Sequence, residues 1–356
     1  MQLQRFRIRR IVEALDPALT TNMTQTKNKS IAIIGAGMAG ITAARTLDQA
    51  GHHVTVFEKS RGFGGRMSSR RSAFGSFDHG TQYFTARDPQ FLQMIAWANQ
   101  TASGLVQAWD AKQKKSEQRL VATPGMSALA THIARPLADQ GKIHLQHRVQ
   151  SITRDNSGWA IKAIDNQEQE KERDYAGFDQ IILAIPSIQA NALLLQTRQH
   201  SEWVSAIDRV VVAPCWTLML AFPNADKALG PAWNASHSEH KRVSWVARES
   251  SKPTRTPIER WTVQANAAWS ERHLEDDPQR VKEKLMKAFA EITGIHAQPP
   301  HAEVHRWRYA ITQKPLGKPF LWDAKNGIGI CGDWCIGHRV EDAFISGLRL
   351  AYETQV

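Results

Sequence analysis

Cysteine and tyrosine are scarce in this 356-residue chain, at three and four residues. Cys215, Cys331 and Cys335 are too few for a disulfide framework. Cys331-x-x-x-Cys335 has no second pair and no histidine at zinc spacing, so no metal site is expected. A chain without structural disulfides has the cytoplasm as its expected location. Apolar runs are also short. None approaches the roughly 18 residues of a membrane-spanning helix, so no membrane association is expected. The main body shows no internal repeat and no low-complexity segment. A second G-x-G-x-x-G is also absent.

The remaining composition suits a folded protein of two lobes, 42% hydrophobic and 22% charged. Acid is in deficit, with 34 Asp and Glu against 45 Lys and Arg, a net charge of +11. Such a balance suits a polyanion, a small anionic substrate drawn to a positive cleft, or a basic surface with no single target. No aromatic-basic RNA-binding word and no helix-turn-helix signal is present, which counts against nucleic acid and leaves the other two open. Residues 1–29 stand apart. Arg5, Arg7, Arg9 and Arg10 precede polar, threonine-rich sequence with no apolar region of the kind a secretory signal needs. This stretch is expected to be a disordered arm.

The informative stretch begins at Ser30. Ser30 to Ile34 is a short apolar run suited to a strand buried on both faces. Gly35, Gly37 and Gly40 follow with the spacing G-x-G-x-x-G. The first makes a tight turn, the second admits a pyrophosphate to the backbone, and the third lets helix and strand pack closely. A helix from Met38 to Ala50 points its first amides at the phosphates. A second strand, Val54 to Phe57, ends at Glu58, near the offset of an acid that binds a ribose hydroxyl. A nicotinamide dehydrogenase would usually go on to another βα unit. Here Arg61-Gly-Phe-Gly-Gly-Arg66 forms a second glycine-rich loop, in which Gly64 and Gly65 permit close backbone approach and Arg61 and Arg66 supply fixed charge. The pair of loops implies FAD rather than NAD, bound non-covalently. Ala36, Met38, Ala39, Lys59 and Met67 flank the loops and belong to the same expected cofactor site.

These motifs resemble the flavin-containing amine oxidase superfamily. Phe77-Asp-His-Gly-Thr-Gln-Tyr-Phe-Thr85, His305-Arg-Trp-Arg-Tyr-Ala310 and Gly332-Asp-Trp-Cys-Ile-Gly-His-Arg-Val-Glu-Asp-Ala343 look more narrowly like its bacterial renalase-like branch. The resemblance implies an α/β fold. A Rossmann-like FAD domain would be interleaved with an α+β substrate domain built on an antiparallel sheet. Residues 30–76, 121–186 and 316–356 would form the first, and 77–120 and 187–315 the second. It also implies that Val149 touches the adenosine end of FAD and that Gly332 and Asp333 meet the ribityl-pyrophosphate region. The final helix, expected over Val340 to Ala351, would then face the flavin with the amides of Arg339, Val340 and Glu341, where a helix N-terminus favours the negative charge of reduced flavin. Asp342 is expected either to cap this helix or to point at the ring. The chain ends shortly after it, so no C-terminal anchor is expected.

Two strand-like stretches, His144 to Ile152 and Trp159 to Ile164, are expected before a third at Phe178 to Ile185. Between Ser187 and Pro315 the sequence predicts four strands and one helix, Pro278 to Thr293, with Gly294 as its stop. Tyr175 falls beside a predicted loop.

The substrate follows from one substitution of type. Where the monoamine oxidases carry a cage tyrosine before the last helix, motif matching places Arg339. A cation there repels a protonated amine and attracts an anion. A dihydronicotinamide fits: it expels hydride as its ring regains aromaticity and requires no protein base. Renalase-like enzymes oxidise off-pathway dihydro isomers of NAD(P) and pass the electrons to oxygen, giving hydrogen peroxide, and the resemblance implies the same here. His79, Gln82, Tyr83, Trp307, Tyr309 and Arg339 are the expected substrate-face residues. Trp216 is a further expected stacking wall, and Arg248, Arg306 and Arg308 are expected phosphate contacts. An amine or desaturase-type oxidase of the same superfamily, and a flavin-binding regulatory protein that touches nucleic acid, remain as alternatives.

Overall fold

The computed structural model describes residues 28–111, 117–223 and 229–355. The arm expected over residues 1–29 lies almost wholly outside them. The first glycine motif folds as expected. β1 (Ser30–Ile34) is buried beyond its first residue, turns at Gly35 into α1 (Met38–Gln49), and returns as β2 (His53–Glu58). Val54, Val56 and Ile31 to Ile34 are buried on both faces of a sheet, as a parallel strand requires.

A small hairpin follows, β3 (Arg70–Ser72) and β4 (Gly75–Phe77). α2 (Pro89–Thr101) starts at Asp88, whose carboxylate accepts the amides of Gln90 and Phe91. A second hairpin pairs β5 (Val106–Ala108) with β6 (Leu120–Ala122), and α3 (Ser127–Ala138) leads to β7 (Ile143–Leu145). The single strand expected over His144 to Ile152 is in fact two. Gln146, at φ 60°, breaks it, so that β7 joins the parallel sheet while β8 (His147–Asp155) joins another. β8, β9 (Gly158–Asp165) and β10 (Lys171–Phe178) make a three-stranded antiparallel sheet. Tyr175 therefore lies on a strand rather than beside a loop, with its ring 4.8 Å from Phe57.

β11 (Gln180–Leu183) returns to the parallel sheet. α4 (Ser187–Gln196) and α5 (Ser201–Ile207), two helices not expected from sequence, precede β12 (Val211–Phe222). β12, β13 (Ala235–His237), β14 (Val243–Arg248), β15 (Glu259–Ala265) and β16 (His301–Lys314) form one antiparallel sheet in the order 13-14-15-12-16. α6 (Ala267–Arg272), also unexpected, and α7 (Pro278–Thr293) lie between β15 and β16. Gly294 ends α7 at φ 71°, the left-handed stop that was expected. α7 covers this sheet with Val281, Leu285 and Phe289 against Trp261 and Phe222.

The chain closes with β17 (Leu321–Asp323), β18 (Ile328–Ile330), α8 (Asp333–Ile336) and α9 (Val340–Glu353). The first sheet runs 17-18-11-1-2-7, parallel except for β17. The architecture is α/β, a Rossmann-like parallel sheet beside a separate antiparallel sheet. No helix among the described residues is long and apolar enough to cross a membrane. α9 packs on α1 so closely that a Cβ at Gly347 would stand 2.1 Å from the Ala39 carbonyl oxygen. The first and last motifs of the chain are thereby held side by side.

Candidate active site

The two glycine loops are joined to each other. Gly64 donates its amide to the Ala36 carbonyl at 2.9 Å, and Gly37 and Gly64 form a parallel bridge. The three fingerprint glycines have different surroundings. A Cβ at Gly40 would lie 1.9 Å from the Gly35 carbonyl oxygen, and one at Gly35 2.5 Å from that of Ala184. A Cβ at Gly37 would meet nothing within 4 Å. Gly35 and Gly40 thus serve packing, whereas Gly37 borders open space. Gly37 also precedes α1 without any side-chain cap, and no acid stands in the first helical turn. The first amides of α1 are left for an external acceptor.

That open space is a cleft of about 3350 Å³, running from Glu58 and Val149 past both glycine loops to the antiparallel sheet. Gly35, Gly37, Met38, Ala39, Glu58, Lys59, Arg61, Gly64, Gly65, Arg66, Met67 and Val149 line it. So do Gly332, Asp333, Arg339 and Val340 from the far end of the chain. Ala36, Gly40 and Glu341, also expected at the cofactor, lie behind the wall. The Glu341 side chain is turned away. Its Oε1 accepts the amides of Arg87 and Asp88 at 2.6 and 2.7 Å and pins that turn to α9. Asp342 caps α9, accepting the amides of His338 and Arg339 at 3.0 and 2.9 Å.

Glu58 is buried. One carboxylate oxygen accepts the Ala36 amide at 2.7 Å and the other the Ser60 amide at 2.8 Å. These two bonds fix its orientation and leave acceptor capacity on both oxygens for a ribose hydroxyl. Arg66 was expected to place its charge near a pyrophosphate. Its guanidinium, at the cleft wall, bonds Asp333 and the Ala310 carbonyl, joining the second glycine loop to the C-terminal turn.

The opposite wall comes from the antiparallel sheet and the loop after β4. His79, Gln82, Tyr83, Trp307 and Tyr309 all line the cleft. Trp307 donates from Nε1 to the His79 carbonyl at 2.9 Å. His79, His305 and Trp307 form a ring cluster with centroids 4.5–5.0 Å apart. Burial, with Arg70 and the neighbouring imidazole, holds His79 at about 3, and burial and Arg70 hold His305 at about 4. Both are therefore neutral imidazoles at physiological pH. His305, His237 and Trp245 were not expected from sequence. The signal for His305 was its alternation with Trp307 and Tyr309 along one strand. Nothing local marked the other two.

Other expectations fail. Trp216 belongs to the core behind the sheet, where it is 2% exposed and donates to the His273 carbonyl at 2.9 Å. Arg248 is buried and held by Glu259 at 3.0 Å and by the carbonyls of Leu229 and Pro231. Arg306 and Arg308 do reach the cleft, and the single Glu275 carboxylate binds both, offsetting one of their two charges. Burial sets these roles, and residue type alone does not reveal it.

A buried ionic cluster fixes the loop that carries His79 and Gln82. Asp78 accepts from Lys252 at 3.1 Å, Arg255 at 2.7 Å, Ser69 at 2.7 Å and the Met126 amide at 2.9 Å. Burial alone would raise the Asp78 carboxyl, but Lys252 and Arg255 overcome it and hold the group well below the usual carboxylate range. Lys252 also bonds Glu249 at 2.9 Å and Gln82 at 3.4 Å.

Two family models match this chain. The model described as flavin containing amine oxidoreductase matches residues 96–354, and that of an NAD(P)-binding Rossmann-like domain matches 33–96. The chain belongs to the flavin containing amine oxidoreductase family. It is accordingly a flavin-dependent oxidoreductase by family, with a flavin as the implied cofactor. The solved structures similar to it share the fold. One, named "Putative protoporphyrinogen oxidase", from Exiguobacterium sp. 255-15, superposes with a TM-score of 0.72 at 11% identity over 93% of this chain and 99% of the other. Cyclohexylamine oxidase from Brevibacterium oxydans IH-35A gives 0.65 at 14% identity over 92% and 99%. A 4,4'-diapophytoene desaturase from Staphylococcus haemolyticus is 48% identical over 50 residues, 14% of this chain. The matched stretch spans only 8–10% of the length of the curated relatives.

Proposed function

We propose that this chain is a renalase-like oxidase with non-covalently bound FAD, accepting hydride from an off-pathway dihydro-NAD(P) isomer. In this reading residues 30–76, 121–186 and 316–356 hold the cofactor and 77–120 and 187–315 the substrate. The observation that carries it is the charge of the cleft. Ten of the lining residues are Lys or Arg and three are Asp or Glu. Two of the three acids are ion-paired, Glu303 with Arg70 and Asp333 with Arg66, and the third, Glu58, is oriented by two amides toward the ribose position. In this reading the FAD ribose takes Glu58, so no unpaired carboxylate of the wall faces the substrate, while Lys59, Arg61, Arg71 and Arg339 form no ion pair among the described residues.

The residues fit FAD. The uncapped start of α1, the open space at Gly37 and the bridge to Gly64 make a cradle for a pyrophosphate, with Glu58 placed for the ribose. Gly332 and Asp333 would lie along the ribityl chain, and the first amides of α9 would favour negative charge on the ring. Bound FAD supplies a two-electron acceptor that oxygen can reoxidise, with hydrogen peroxide as product. The chain's own task is to bind, orient and exclude water. The imidazoles of His79 and His305, neutral and poorly basic, offer no proton acceptor tuned to neutrality. A dihydronicotinamide needs none, because it loses only hydride and leaves as the aromatic nicotinamide. The test is peroxide formation in air. Dihydro-NAD(P) isomers should yield one peroxide per nicotinamide formed, with cyclohexylamine and benzylamine inactive. Peroxide from the amines alone would sink the proposal.

The desaturase match and the amine oxidase fold favour, as a second reading, an oxidase of another substrate within the same family. The same assay separates the two.

A further inference from the structure

Arg119 is buried, at 6% exposure, and no carboxylate among the described residues pairs with it. Its guanidinium donates to the Ala111 carbonyl at 2.6 Å. Its Cζ lies 4.6 Å from the ring centroid of Tyr83 and 5.1 Å from that of Trp245. The two rings are 5.6 Å apart, and His237 meets Trp245 edge-on at 4.7 Å. Tyr83, Trp245 and His237 line the cleft, whereas Arg119 does not. The cation therefore sits behind an aromatic wall.

Aromatic faces attract cations through the ring quadrupole, and paired rings are a common receptor for ammonium groups. Here the chain's own guanidinium already occupies that position. We propose that Arg119 determines specificity: it makes the Tyr83–Trp245 wall a receptor for neutral or anionic rings with carbonyl acceptors, and excludes cations. A second observation agrees. The Trp245 indole Nε1 is buried and has no acceptor among the described residues. The ring borders the cleft, and a ligand oxygen that reached this edge would satisfy the donor. A carboxamide or carboxylate on a planar ring supplies both the stacking face and the oxygen; an ammonium supplies neither.

This inference rests on the reading that the hydride donor lies along this wall, and its test is independent of turnover. Benzamide and benzamidinium have nearly the same shape and differ in charge and in the acceptor oxygen. Neither donates hydride. Calorimetric titration of the flavin-loaded full chain should show benzamide binding more tightly by about tenfold or more, the effect of one unit charge across a half-dry ring. Arg119→Met should bring the ratio to within about twofold of unity, and Arg119→Lys should largely keep it. A buried charge is screened little by salt, while the exposed arginines of the rim are screened strongly. The wild-type ratio should therefore persist from low to high salt, a readout that needs no variant to fold. Equal binding of the two probes overturns the proposal. So does a ratio that collapses in salt, or one that Arg119→Met leaves unchanged. If the charge preference holds while no dihydronicotinamide is oxidised, the proposed function fails and the role of Arg119 stands.

Discussion

Replacing Gly37 by alanine should separate folding from cofactor binding. Gly37 has φ −73° and ψ 178°, a conformation open to any residue, and its added Cβ would touch nothing within 4 Å. The fold of the flavin-free protein should not suffer. Removing glycine's freedom from the unfolded chain should even stabilise it, by about 0.4–1 kcal/mol. The methyl group would nevertheless project from the cap of α1, where a pyrophosphate must approach the backbone. Displacing the phosphate by the width of a methyl would break at least one charge-assisted bond to an amide. Such bonds contribute about 1.5–3 kcal/mol each, so FAD affinity should fall by about tenfold to a hundredfold. The assay has two parts, urea unfolding of the flavin-free protein and fluorescence titration with FAD. Gly37→Ala should match or exceed wild type in the first and fail in the second. Unchanged FAD affinity would refute the assignment of this space to a pyrophosphate.

Gly40→Ala should behave in the opposite way, since its Cβ would fall 1.9 Å from the Gly35 carbonyl oxygen, and chemical unfolding should show a loss of about 1–3 kcal/mol or more. Asp78→Ala would leave Lys252 and Arg255 buried without their shared partner and should cost about 3–5 kcal/mol in the same experiment. Acid should also weaken the fold through His79. Its imidazole is held at about 3 when folded, against an ordinary 6.5, so the unfolded chain binds the extra proton between these values. Stability contributed by the neutral ring is present above pH 6.5 and falls as pH drops toward 3, by up to about 1.4 kcal/mol per pH unit, and His79→Gln should flatten that slope. Glu341→Gln should leave the fold intact while loosening the Arg87–Asp88 turn, read as faster amide exchange at those two residues.

The parallel sheet was legible because its strands are buried on both faces and its first turn carries glycines at fixed offsets. The C-terminal turn was legible for a similar reason, since Gly332-Asp333 follows a short apolar strand. What failed to read has physical causes. Gln146 breaks a strand by adopting a positive φ without being a turn residue. β10 is polar because it is an edge strand with most of its residues exposed, and alternation gave no apolar face to see. α4 carries apolar residues around most of its circumference, with Ile188 and Leu195 exposed, so it lacks a clean helical period. At the site, the glycine loops and the His305–Tyr309 face were visible. The placing of Arg119 behind Tyr83 and Trp245 was not, because it joins segments that no local pattern connects. Nor does spacing reveal that Glu275 and Glu259 hold three arginines that by type alone suit phosphate.

Anaerobic mixing decides the identity of the hydride donor. With oxygen removed, the yellow flavin absorbance of the loaded protein should bleach rapidly and stoichiometrically on mixing with 2- or 6-dihydro-NAD(P). It should persist with ordinary NADH and with amines. Bleaching by amines, with the dihydro isomers inert, would make the donor an amine and rule out a dihydronicotinamide.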